Sequence, residues 1–298
     1  MASLRSLDAT WEVELFLALE STSSLNTASA SLIIDHQTPT PDTSTLAQNQ
    51  SILYGMVANM YRILIIGANR GIGHELATRF SLRGHTVYGT YRPQSRNDET
   101  VRKMIESTTV TALELDFTEE ESIIRAASTF PSDSLDVLIN CAGVYYMWDD
   151  KPFTELTAEH FLDHFKVNTL GPFLASKHFL PLLSKSPSVG KIINVSSDFA
   201  SISDNTGGNA CYRVSKAALN QLTKTMAIDL AKTAPNVLTL SVHPGYVATK
   251  MTGYFGEDDM DECMSGLVKV VEEFGTKSAP PSLSSGGYVR WNGEKMSL

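Results

Sequence analysis

Tyr212 and Lys216 stand four residues apart in the run Tyr212-Arg213-Val214-Ser215-Lys216. In a helix that spacing puts a phenol and an ammonium on one face, about one turn apart, where both can address one substrate. A phenol ordinarily titrates at roughly 10, too high for easy proton exchange at neutral pH. A neighbouring ammonium favours the phenolate and makes the phenol a better acid; lowering its pKa by about three units represents roughly 4 kcal/mol of differential interaction. The pair is suited to passing a proton to or from an oxygen whose carbon gains or loses a hydride. Two hydroxyls lie shortly upstream, in Asn194-Val195-Ser196-Ser197.

A second group of residues has the form of a phosphate cradle. Gly67-Ala68-Asn69-Arg70-Gly71-Ile72-Gly73 follows the apolar run Ile63-Leu64-Ile65-Ile66 and opens a helical stretch. Glycines there let backbone N–H groups and the positive end of a helix reach a pyrophosphate that side chains would hold off. Enzymes that use NAD commonly end the second strand with an acid against the ribose 2′-hydroxyl, whereas an arginine accommodates the 2′-phosphate of NADP. No Asp or Glu lies between Glu75 and Asp98; the second strand ends Gly89-Thr90-Tyr91-Arg92, and Arg70 sits inside the glycine turn. Guanidinium groups donate paired hydrogen bonds to phosphate, so Arg70 and Arg92 predict NADP(H). Cradle and proton pair together point to a nicotinamide-dependent oxidoreductase.

Such groups have to be held at the ends of strands. Short apolar or β-branched runs predict strands at 61–66, 85–90, 110–115, 135–140, 190–195, 237–242 and 287–291. Amphipathic stretches predict helices near 71–83, 98–106, 119–129, 157–184, 211–232 and 261–274. Runs without a polar face are buried on both sides, which predicts an α/β, doubly wound (Rossmann) parallel sheet of about seven strands with helices on both faces, a single domain over 60–298. Residues 1–59 are rich in Ser, Thr, Ala, Asn and Gln, with Pro39 and Pro41, and are expected to be a disordered or loosely docked extension. Their apolar run Val13–Leu19 is too short for a bilayer, and their acids fit neither a secretory nor a mitochondrial leader. Met60 directly precedes the first strand, so the working protein is expected to begin there. The net charge of −9 argues against nucleic acid and anionic membrane as partners and favours a small molecule. Neither the three cysteines, Cys141, Cys211 and Cys263, nor the seven histidines have disulfide-framework or metal-site spacing, so no metal is predicted and the expected location is the cytoplasm.

Over residues 61–298 these motifs, in this order, resemble the short-chain dehydrogenase/reductase family. The loop Ser203-Asp204-Asn205-Thr206-Gly207-Gly208, the Tyr212–Lys216 run and Gly286-Gly287-Tyr288 look most like its C-factor-like and sniffer-like carbonyl reductases. The resemblance implies a catalytic tetrad of Asn168, Ser197, Tyr212 and Lys216: Tyr212 as acid, Ser197 on the substrate oxygen, Lys216 on the nicotinamide ribose, and Asn168 holding a relay water. It implies cofactor contacts from Gly67, Asn69, Arg70, Gly71, Ile72 and Gly73, from Arg92, and from Asp116 at the adenine with Phe117 beside it. Further contacts are implied from Asn140, Ala142 and Gly143, from Tyr212 and Lys216, and from Pro244, Gly245, Val247 and Thr249. Tyr145, Trp148, Tyr246 and Met251 are candidates for the substrate, with a lid over 250–266 that includes Tyr254, Phe255 and Met260; the acidic run Glu257-Asp258-Asp259 is expected to be solvated. The implied reaction is reduction of a ketone or aldehyde; alcohol oxidation and a non-catalytic NADP(H) sensor or signalling protein are the alternatives. A homodimer or homotetramer through the 157–184 and 211–232 stretches is a further implication. Three departures stand out: Ile66 replaces a usual threonine, Cys141 replaces a second asparagine, and the Ser197–Tyr212 interval is longer than usual, which leaves Ser196 as the other candidate serine.

Overall fold

Ile63-Leu64-Ile65-Ile66 has no polar face to offer water, and in the computed structural model, which describes residues 60–107, 109–146 and 151–298, it lies in the middle of a sheet. Seven strands, β1 (Arg62–Ile66), β2 (Thr86–Tyr91), β3 (Thr111–Glu114), β4 (Val137–Asn140), β5 (Gly190–Val195), β6 (Val237–His243) and β7 (Gly287–Arg290), pair in the order β3-β2-β1-β4-β5-β6-β7. Every pairing is parallel. Each strand falls within a residue or two of its predicted position.

Alternation along the strands divides the core in two. Ile63, Ile65, Val137, Ile139, Ile193 and Leu240 face α1 (Gly71–Leu82) and, further along the chain, α7 (Met260–Glu273). Leu64, Ile66, Leu138 and Ile192 face α3 (Glu120–Ser128) and α5 (Gly171–Leu183). The remaining helices are α2 (Glu99–Ser107), α4 (Ala158–Phe165) and α6 (Ala210–Thr233). No helix among the described residues is long and apolar enough to cross a membrane.

One predicted element divides. The stretch 157–184 contains α4 and α5 separated by a π-helical turn at Lys166–Leu170, in which the Gly171 N–H reaches back to the Lys166 carbonyl. Pro172 supplies the reason: it has no N–H for the carbonyl four residues back, that of Asn168, so the regular ladder cannot run through.

A buried polar chain fastens α6 to the sheet. Asn140 on β4 donates to Asn194 on β5 (2.8 Å), Asn194 donates to Thr223 on α6 (2.8 Å), and Ser241 on β6 donates to the same threonine (2.8 Å). These partners are adjacent in the strand register, Asn140 beside Asn194 and Asn194 beside Ser241. Buried polar groups cost little only when paired, so the chain fixes how the helix carrying Tyr212 and Lys216 is seated.

Candidate active site

In a parallel sheet all strand C-termini share one edge, and the order reverses between β1 and β4. The crevice at that reversal is where open α/β sheets bind ligands. A cleft of about 350 Å³ opens there, lined by Gly67 and the turn Asn69–Gly73, by Arg92 after β2, by Asp116 and Phe117 after β3, and by Ala142 and Gly143 after β4; Thr249 and Met251 close its far side.

The cradle has the close quarters that glycine permits. Gly67 sits at φ +89°, and a Cβ there would press on Ala142; a Cβ on Gly73 would collide with the Gly67 carbonyl. Helix α1 begins at this turn with Arg70 as N-cap, no side-chain cap and no acid in its first turn. Its first N–H groups and the positive end of its dipole therefore face the cleft with no acid of the helix's own first turn beside them, an arrangement that fits a pyrophosphate. The threonine missing at position 66 is replaced from the next strand: Thr90 Oγ1 accepts from Gly67 N (3.1 Å) and the Thr90 carbonyl from Ala68 N (3.0 Å). Asn69 donates to Thr100 (3.1 Å), and Asp116 Oδ1 accepts from the backbone and hydroxyl of Thr118 (2.9 and 2.8 Å). Arg70 and Arg92 are exposed in the cleft, and neither makes a salt bridge among the described residues.

Asn168, Ser197, Tyr212 and Lys216 form a second group behind the cleft wall rather than on its lining. Gly143 joins the two groups: a Cβ built on it would lie 3.2 Å from Asn168 Oδ1, 3.6 Å from Lys216 Nζ and 3.9 Å from Met251 Cε. Asn168 is wholly buried in the π-helical turn; its amide donates to the Val144 carbonyl (2.9 Å) and Ser215 Oγ (3.0 Å), and its oxygen accepts from Val144 N (2.9 Å). The side chain thus ties the β4 loop to α6. Tyr212 is bounded by the rings of Tyr145 (5.3 Å between centroids), Phe199 (6.1 Å) and His164 (6.2 Å).

The expected pairing of ammonium and phenol takes a different form. Lys216 Nζ lies 5.7 Å from the Tyr212 ring centroid and donates to the Val195 carbonyl at the end of β5 (2.8 Å); burial pulls its pKa down to about 8. Burial pushes the Tyr212 phenol up, a hydrogen bond with Ser197 opposes that, and the Asp198 charge and Tyr145 add to it. The expected lowering by lysine is thus not what sets the phenol: desolvation dominates, and the opposing effect comes from Ser197. Ser197 is the serine hydrogen-bonded to Tyr212, whereas Ser196 Oγ is buried without a hydrogen-bond partner among the described residues. Cys141 lines the cleft; burial raises its thiol to about 12, against a smaller opposing effect of Lys216.

Other predicted residues lie elsewhere. Asn140 is buried in the polar chain and is absent from the cleft lining, as are Pro244, Gly245 and the core residue Val247. Tyr246 is 44 % exposed, away from the cleft. Tyr145, bonded to Asn209 (2.7 Å), lies against Tyr212, while Trp148 is outside the described residues. The stretch 250–266 expected to form a lid holds a loop with exposed Tyr254 and Phe255 and then the start of α7 at Met260, where Cys263 and Met264 are fully buried. Within the acidic run, Asp258 accepts from Tyr246 N (2.7 Å) and Asp259 caps α7 through Glu262 N (2.8 Å). Sequence reading missed His164 and Phe199, whose proximity to the site depends on long-range packing, whereas Tyr146, one of the aromatics after the Asn-Cys-Ala-Gly motif, lines the cleft and packs on His164; Thr90, in the second-strand motif Gly89-Thr90-Tyr91-Arg92, was the one legible signal.

Comparison with known proteins agrees with this geometry. The short chain dehydrogenase family profile matches residues 61–260. A 1-hydroxy-2-glutathionyl-2-methyl-3-butene dehydrogenase of Rhodococcus is 30% identical over 240 residues, 78% of this chain and 100% of that protein. The NADPH-bound carbonyl reductase from chicken fatty liver and the carbonyl reductase Sniffer of D. melanogaster each superpose with a TM-score of 0.70 at 28% identity, over 80% of this chain and 100% of theirs. The chain belongs to the short-chain dehydrogenase family of oxidoreductases, and it shares the fold of these solved relatives.

Proposed function

We propose that this protein is an NADPH-dependent reductase of aldehydes or ketones. The observation that carries the proposal is the pair of arginines, Arg70 and Arg92, facing the cleft where β2 ends without an acid. Their guanidinium groups suit a 2′-phosphate, and the likeness to an NADPH-bound carbonyl reductase supports the same choice. Bound in the cleft, the nicotinamide supplies the hydride. Tyr212 gives its phenolic proton to the substrate oxygen, and Ser197 hydrogen-bonds that oxygen. Lys216 then returns a proton to Tyr212. Because the Asn168 side chain is committed to Val144 and Ser215, a relay water is held by its backbone carbonyl, the group that Pro172 leaves without an N–H. Tyr145 and Met251 border the substrate.

The cofactor preference is tested by kcat/KM with each nucleotide. The protein favours NADPH over NADH, and Arg92→Ala lowers efficiency with NADPH by about tenfold, the worth of one charged hydrogen bond, with little change for NADH. Equal efficiency of the native protein with both nucleotides overturns this choice. The name of the Rhodococcus relative favours a second reading, alcohol oxidation by the same groups in reverse. Initial rates in both directions on matched carbonyl and alcohol pairs separate the two.

We also propose that two copies pair through α4 and α6. Leu162 (66 % exposed), Phe165 (42 %) and Val214 (52 %) surround a shallow apolar recess between these helices, and a second copy of the same face would cover it across a twofold axis. Light scattering gives a dimer that Leu162→Glu dissociates; a monomeric native protein overturns this.

A further inference from the structure

Arg213 follows Tyr212 directly, yet it lies about 100° further round α6 and leaves the helix on another side. It is 8 % exposed, and no carboxylate among the described residues lies within ion-pair distance of it. A buried cation is costly unless other groups replace its water. Three do so here. Nε donates to the Gly208 carbonyl (3.0 Å), Nη2 donates to Thr206 Oγ1 (3.3 Å), and the guanidinium carbon stands 4.1 Å from the centroid of the Phe199 ring. A flat, forked cation can serve a ring face and two acceptors at once, which an ammonium cannot.

The two elements that Arg213 holds meet at Tyr212. Phe199 lies on the turn that begins at Ser197, and its ring stands edge-on to that of Tyr212 (6.1 Å between centroids). The segment Thr206-Gly207-Gly208 leads into Asn209, whose Oδ1 accepts from Tyr145, the second ring edge-on to Tyr212 (5.3 Å). This segment has little packing of its own. Gly207, Gly208 and Asn209 run at φ +86°, +71° and +52°, and a Cβ on either glycine would meet nothing within 4 Å. Apart from the local bond from Gly207 N to Asn205 Oδ1 (2.8 Å), the hydrogen bonds of residues 205–208 among the described residues are those from Arg213.

We propose that Arg213 is a positioning residue for the substrate: by fastening the Phe199 ring and the Thr206–Gly208 segment into one wall beside Tyr212, it sets a preference for carbonyls that carry an aromatic group over short aliphatic ones. The proposal rests on the reading of the protein as a carbonyl reductase with Tyr212 as its acid. Arg213 touches no reacting atom and acts through Phe199. A flat apolar group buried against that ring gains in proportion to the area it covers, whereas a short chain covers little. When the wall is loose, ordering it is charged to substrate binding, and the larger substrate loses more.

The full-length protein is assayed with NADPH on benzaldehyde and on propanal. Arg213→Met keeps an unbranched stem and removes the charge and the fork. It is expected to lower the ratio of kcat/KM for benzaldehyde over propanal by about tenfold, chiefly through a higher KM for benzaldehyde, with NADPH affinity by fluorescence titration unchanged. Arg213→Lys keeps a cation over the ring without the paired bonds, and its ratio falls between the two. Phe199→Leu lowers the same ratio, and adding Arg213→Met to it lowers the ratio little further, because Arg213 acts through Phe199. A native ratio in Arg213→Met, fully additive effects of the two changes, or equal losses on both aldehydes with weaker NADPH binding overturns the role of Arg213. If the methionine variant fails to fold, native ratios in Arg213→Lys and Phe199→Leu overturn it just as well. No turnover of either aldehyde by the native protein, or native turnover by Tyr212→Phe, overturns instead the underlying reading, and the proposal with it.

Discussion

Tyr212 is a weaker acid in its folded surroundings than a free phenol, because burial and the Asp198 charge act against its ionised form. In the proposed reaction, proton transfer therefore depends on what enters the site rather than on a standing tyrosine–lysine ion pair. The same proposal gives Lys216, fixed on the Val195 carbonyl with its pKa near 8, the part of resupplying a proton, since that pKa is close enough to neutral pH to give and regain one. Tyr212→Phe removes the acid and keeps the ring packed between Tyr145 and Phe199. It is expected to lower kcat by about 10²–10⁴-fold with NADPH affinity nearly unchanged, by stopped-flow turnover and fluorescence titration; near-native turnover removes the phenol from the acid role. The Tyr–Lys spacing was legible because both residues lie on one helix. Ser197 and Asp198 adjoin in the sequence, but their anchoring, by His243, which accepts from Asp198 N, and by Tyr288, which donates to the Ser197 carbonyl, comes from strands about 45 and 90 residues away, and no local pattern encodes it.

The glycine turn shows how far one element depends on its neighbours. By helix propensity alone, alanine in place of Gly73 in α1 would be favourable by about 1 kcal/mol. The Gly67 carbonyl occupies the space a Cβ needs, so the turn has to open and carry the helix N-terminus away from the phosphate position. Gly73→Ala is expected to weaken NADPH binding by at least about tenfold and to lower Tm, measured by calorimetric titration and scanning calorimetry; native affinity would show that the turn is not the cradle. The seven strands were legible because runs such as Val137-Leu138-Ile139 leave no face for water. The division of 157–184 was less so, since Gly171-Pro172 sits inside an otherwise unbroken apolar period and proline is tolerated at a helix start. Ile66 lacks the hydroxyl of the threonine it replaces, yet Thr90 on the paired strand offers one to Gly67 N, a contact across the sheet that a single-strand reading cannot see.

The molecule separates chemistry from cohesion along the strand axis. The cleft and proton group occupy the C-terminal edge of the sheet, while a network of charges ties elements together at the opposite edge. There Glu272 on α7 accepts two hydrogen bonds from Arg83 after α1 (2.7 Å each) and lies 3.1 Å from His85 Nε2, whose Nδ1 accepts from Tyr61 N. The buried Lys191 of β5 donates to the carbonyls of Val271 and Glu272 in the last turn of α7, where a cation complements the helix dipole. Although burial raises the Glu272 pKa, the bonds from His85 and Arg83 outweigh it and bring it to about 2 from an ordinary 4.5. A carboxylate with a depressed folded pKa stabilises fully above its unfolded value, and that contribution is lost as pH falls through the folded one. Glu272→Gln is therefore expected to lower stability at pH 7 by about 1 kcal/mol, discounted because Arg83 is half exposed, and the gap to the native protein closes between pH 4.5 and about 2. Urea midpoints across that range measure it, with kcat/KM at pH 7 as the second readout. A gap that stays constant down to pH 2 rules out the charge as its source. A fall in kcat/KM without a fall in stability would show that the two edges of the sheet are coupled after all.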